Sequence, residues 1–116
     1  MELKSLNLHD AVLKSISCQS GSDFFDEAVI RLELSGETGI LELRFQNCFH
    51  VSLDCNLWIQ GQDSISAWSV QMPETYRKAV EKLPAPQSFH YLGLCTNTSG
   101  SRIELVYQSL DIRSIP

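Results

Sequence analysis

The sequence predicts an α+β fold: an antiparallel sheet of about five or six strands with one helix packed on it, within a single domain spanning residues 1–116. Three observations carry this. Apolar and polar residues alternate with period two over several long segments, glycine-containing turns separate those segments, and one stretch between prolines has helical spacing instead.

Taken in chain order, the first strand is expected from Val12 to Gln19, with Val12, Ile16 and Cys18 on one side together with Lys14. Ala28, Ile30, Leu32 and Leu34 share a face opposite Arg31 and Glu33, and Ser35-Gly36-Glu37-Thr38-Gly39 then closes a hairpin. From Leu41 to Ile59 the odd positions are apolar except Asn47. Nineteen residues of strand would reach about 63 Å, too long for a domain whose radius of gyration should be about 13 Å, so the run must bend. Gln46 to Cys48 is the first choice for the bulge and Asp54 to Asn56 the second.

Residues 61–70 read as mostly irregular, because Ile65 and Trp68 are three apart while Ser64, Ser66 and Ser69 favour a loop. The helix is expected over about 73–83. Pro73 suits its first position, Tyr76, Ala79, Val80 and Leu83 recur at helical spacing, Lys82 lies near the end, and Pro84 stops it. Ala85-Pro86 makes a stiff connector, and a second hairpin pairs Phe89–Cys95 with Arg102–Ile112 across Thr96 to Ser101.

Charge and composition remove several function classes. Nine basic and 14 acidic residues give a net charge of −5, the wrong sign for neutralising phosphates, so nucleic acid is not an expected ligand. No apolar run approaches the roughly 18 to 20 residues of a membrane span, and the N-terminus does not read as a targeting segment. The four cysteines, 18, 48, 55 and 95, form no Cys-x-x-Cys pair, which suits reduced thiols and a cytoplasmic protein. No phosphate-binding glycine loop, Gly-x-Ser-x-Gly elbow or His-Glu-x-x-His motif occurs, and no cofactor is expected.

Three polar constellations remain. In a regular strand Cys48, His50, Ser52 and Asp54 project from one side, where cysteine, histidine and aspartate can ligate zinc or a thiolate can be activated by imidazole. Residues two apart lie about 6 to 7 Å from one another, so the simpler reading is a solvated polar face. His9-Asp10 resembles a carboxylate-oriented histidine, but neighbours in sequence diverge, and Asp10 is better read as turning the chain into the next strand. A metal site from His50, Asp54, Cys48 and His9 is therefore the alternative, and no catalytic residue is assigned. Ser22 to Glu27 places Phe24 and Phe25 among Asp23, Asp26 and Glu27: either the rings anchor the loop in the core, or they offer an aromatic anchor with an acidic rim. Residues 1–63 carry 10 acids and 4 bases, residues 64–116 carry 4 and 5, so the acidity belongs to the first half. Trp58, Trp68, Tyr76, Phe89 and Tyr91 are read as core where sheet meets helix.

Leu8-His9-Asp10 leading into a strand, a hairpin, the long alternating segment ending near Asp54 and then Gly61-Gln62-Asp63-Ser64-Ile65 resembles small bacterial immunity-type proteins of polymorphic toxin systems. The resemblance covers residues 6 to 70 and the closing hairpin, and implies a cytoplasmic protein that binds and blocks a toxin without an active site of its own. The leading expectation is thus a non-enzymatic protein-binding domain that engages a basic protein through Asp23, Phe24, Phe25, Asp26 and Glu27. The rivals are a small metal-dependent hydrolase centred on His50 and Asp54, and a structural sheet domain that forms homo-oligomers.

Overall fold

The computed structural model describes residues 6–19, 27–34, 39–54, 64–97 and 100–115. Their strands are β1 (Val12–Gln19), β2 (Glu27–Glu33), β3 (Ile40–Gln46), β4 (His50–Asp54), β5 (Ile65–Ser69), β6 (His90–Thr96), β7 (Arg102–Tyr107) and β8 (Ser109–Ile115), with α1 (Glu74–Val80) and a 3-10 turn at Pro86–Ser88 between β5 and β6. They form two antiparallel four-stranded sheets, β1-β2-β3-β8 and β4-β7-β6-β5. The antiparallel α+β character agrees with the sequence, whereas the expected five or six strands are eight among the described residues.

The count rises because two long segments each serve both sheets. Residues 40–54 run antiparallel to 102–115, and between the pairs Gln46–Ser109 and His50–Val106 one strand has three residues and the other two. This is the bulge expected at Gln46 to Cys48, and Asn47 takes the left-handed conformation it requires, with φ 55°. Inward side chains run Leu41, Leu43, Phe45, then Cys48 and Val51, while the facing strand shows Ile103, Leu105, Tyr107, then Leu110 and Ile112. Each step of three turns the chain from one sheet into the other. The second hairpin accordingly ends its pairing at His90–Tyr107, and the rest of its return strand is β8 in the first sheet.

Two further strand readings change for the same reason. The register of β1 shifts between Leu13 and Ser15, so Leu13 rather than Val12 joins Ile16 on the core side; Cys18 keeps the face of Ile16, opposite Ala28, but is exposed near the end of the strand. The register of β5 shifts between Ile65 and Ala67, so the three-residue spacing of Ile65 and Trp68 is an alternating strand with one extra residue, not a loop. At the far side, a Val12–Ser64 bridge and the bonds Ile65 N–H to Ala11 O (2.8 Å) and Asp10 N–H to Ile65 O (2.9 Å) join β1 to β5. Asp10 turns the chain here in the left-handed region, φ 64°.

The interior between the sheets is one contiguous apolar cluster, with Leu8, Ile30, Leu43, Phe45, Leu92 and Ile103 fully buried. α1 is shorter than the expected 73–83. Pro73 is its N-cap in extended conformation, and after Val80 the bonds tighten to Lys82 N–H to Ala79 O and Leu83 N–H to Val80 O before Pro84 ends the turn.

Candidate functional site

Helix α1 lies on the outer face of the second sheet, where Val80 packs on Tyr91 of β6 and Val106 of β7. The ring of Tyr76 sits between His50, at 4.8 Å, and Tyr91, at 6.0 Å and nearly parallel. Tyr91 donates its hydroxyl to Glu104 Oε2 at 2.8 Å. That geometry needs a glycine at 93, because a Cβ there would overlap the Tyr91 hydroxyl and crowd its ring. Burial, and then the hydrogen bond and negative charge of Glu104, raise the Tyr91 phenol well above the ordinary tyrosine range, and burial followed by Glu104 raises Tyr76 in the same direction. The Tyr91 hydroxyl thus stays protonated and ties β6 to β7, while the ring of Tyr76 and the side chain of Val80 seat the helix on that surface.

Beside this platform lies an open cleft of about 730 Å³. Proline and the strand crossover create it. Ala85, left-handed at φ 52° between Pro84 and Pro86, turns the chain away before β6 can extend backwards, while β7 passes through Gln108 into the other sheet. The gap is bounded by Val70 to Met72 after β5, by Arg77 and Glu81 of α1, and by the Pro86–Phe89 segment. Tyr107 and Leu110 form its floor. Burial pushes the Tyr107 hydroxyl up to about 12, and its ring meets Phe45 edge-on at 4.8 Å, so this floor is anchored in the main core. Ser88 donates to Ala85 O at 2.7 Å and accepts from Gln108 Nε2 at 2.8 Å, which fixes one wall to the other.

The sequence-derived candidates lie elsewhere. His50, Ser52 and Asp54 share the outer face of β4 as expected, but Cys48 does not join them: the bulge turns it into the core, where its thiol meets Phe45 O at 3.6 Å. His50 and Asp54 are separated by about 13 Å of strand. His9 lies with Asp10 in an exposed pair at 3.6 Å on the turn before β1. Among the described residues no group of three histidine, cysteine or acidic side chains is placed to hold a metal ion. No disulfide joins Cys18, Cys48 or Cys95.

Of the expected partner-binding residues, Asp23, Phe24, Phe25 and Asp26 lie outside the described residues, as do Cys55 and Trp58. Glu27 is engaged within the first sheet by Arg44. The same outer face pairs Lys14 with Glu33 at 3.1 Å and Arg31 with Glu42 at 3.1 Å, Arg44 also approaching Glu42 at 3.6 Å. Tyr91 and Phe89, expected as core, belong to the small cluster under α1 and also border the cleft. Gln71, Gln87 and Gln108 carry no sequence signal of a site, and the Ala85-Pro86 segment beside them reads from sequence only as a stiff connector. No family profile, characterised protein or solved structure matches the chain.

Proposed function

We propose that this chain is a non-enzymatic protein-binding domain, and that the cleft beside α1 holds an extended segment of its partner. The cleft's lining carries the reading: three carboxamides, Gln71, Gln87 and Gln108, line it together with the apolar side chains of Met72, Phe89 and Leu110. A carboxamide offers both donor and acceptor, as a peptide bond does, and an extended segment presents alternate side chains to an apolar surface. Orientation would come from the polar wall and most of the affinity from the buried apolar contact.

Charge supports a basic protein as the partner, a toxin under the immunity-type resemblance. Glu27, Glu33 and Glu42 are paired with in-sheet cations, and residues 1–63 as a whole carry 10 acids against 4 bases. Such charge acts mainly on the rate of encounter, while the cleft acts on residence time.

The test is selection of a displayed random peptide library on the native chain, with counter-selection on the double variant Gln71→Ala, Gln87→Ala. Both side chains are exposed, so the fold should persist. Enriched peptides should shift the amide resonances of Met72, Phe89 and Gln108, and should lose about tenfold or more in affinity for the variant. Peptides that bind both proteins equally, or that shift another surface, would refute the proposal.

A further inference from the structure

We infer that the free edge of β8 pairs with β8 of a second copy of this chain, joining two first sheets into one continuous sheet about a two-fold axis through Ile112. Strand β8 stands at the end of its sheet, and among the described residues no strand covers its other side. It is seven residues long, so a row of backbone donors and acceptors is presented along that edge.

The outward side chains select the partner and the register. Ser109, Asp111, Arg113 and Ile115 share the outer face, since they pair with Gln46, Arg44, Glu42 and Ile40 of β3. Antiparallel pairing centred on Ile112 sets Asp111 opposite Arg113 of the second copy, twice by symmetry. Centring on Asp111 or Arg113 would instead set identical charges against each other, which is unfavourable for directly opposed residues. Lone edge charges normally keep strands apart; here the two are arranged so that only the two-fold register is satisfied.

The rest of the sheet extends this match. The register places Arg31, Glu42 and Arg113 in one row across β2, β3 and β8, and Arg44 beside Asp111 in the next. Across the axis the first row continues as Asp111 and then Arg44 of the second copy, so the signs alternate without interruption. In the single chain Arg113 Nε bonds Asp111 Oδ2 at 3.0 Å along the strand, with both side chains substantially exposed, so both charges are accessible for exchange to a cross-strand partner.

Sedimentation of the native chain should show a concentration-dependent dimer. Asp111→Arg and Arg113→Asp should each weaken it about tenfold or more. Because each variant is then self-repelling but complementary to the other, an equimolar mixture should recover the dimer as a heterodimer. Should either variant fold poorly, Ser109→Cys with Ile115→Cys decides the question. These exposed positions face each other in the proposed register at a Cα separation of about 4.5 to 5.5 Å, within disulfide reach, so oxidation should give a covalent dimer that neither single variant gives through this edge. A native chain that remains monomeric up to its solubility limit would overturn the inference. A dimer indifferent to both charge reversals and not trapped by the cysteine pair would overturn it equally.

Discussion

Replacing Gly93 by alanine tests the platform under α1, because the position is defined by a side chain two residues away. An alanine Cβ at 93 would sit 3.0 Å from Tyr91 Cζ and 3.1 Å from Cε2, and closer still to the hydroxyl, so the ring must leave its place over β6. Losing the 2.8 Å bond to the partly buried Glu104 carboxylate costs about 1.5 kcal/mol. Displacing a ring packed between Val80 and Tyr76 adds about 1 to 2 kcal/mol. The better backbone entropy of alanine returns about 0.5 to 1 kcal/mol, leaving a net loss of about 2 kcal/mol. With an unfolding entropy of about 0.24 kcal/mol/K for a chain this size, Tm should fall by about 8 °C. The assay is thermal and urea unfolding of a double-mutant cycle with Tyr91→Leu, which removes the ring the new methyl would strike. In that background Gly93→Ala should be neutral or slightly stabilising. Equal costs in both backgrounds, or no cost in the native one, would refute the account of why glycine occupies this position.

Two further perturbations probe the frame, beside the peptide-selection and β8-edge experiments. Asn47→Gly should change stability by only a few tenths of a kcal/mol, while Asn47→Val, a β-branched residue at φ 55°, should cost about 1 to 2 kcal/mol in urea unfolding. An equal tolerance of both would mean that the left-handed bulge does not guide the crossover between sheets. Tyr107 is protonated in the folded protein up to about pH 12 but titrates near 10 when unfolded, so the stability it supplies is complete below pH 10 and is lost as pH rises from 10 through 12. Thermal melts across that range should fall more steeply for the native protein than for Tyr107→Phe, measured against each protein's own value at pH 9; identical slopes would contradict the cause assigned to the shift.

The described residues contain no helix long and apolar enough to cross a membrane. Their globular form has a radius of gyration of 14.2 Å, near the value used to argue that the run from Leu41 could not stay straight. That length argument, together with one asparagine on an apolar face, was enough to locate the bend at Asn47. It could not show that the chain beyond the bend enters a second sheet, since period two describes a strand equally well in either sheet. The three-residue spacing of Ile65 and Trp68 was ambiguous for a related reason: a one-residue bulge imitates a helical step over a short span.

By itself, then, the sequence determined what local patterns specify: antiparallel strands from alternation, the turn at Asp10, the bulge at Asn47, the two hairpins, and a helix confined between Pro73 and Pro84. Tertiary structure alone decided which polar residues meet. Cys48 left the polar face of His50 and Asp54 because a bulge reverses side-chain direction, and Glu27 was taken up by Arg44 because register, not proximity in sequence, sets cross-strand neighbours. The cleft arises where β7 turns into β8 while Pro84, Ala85 and Pro86 turn the segment before β6 away. It is a space between elements distant in sequence, and no periodicity encodes a space.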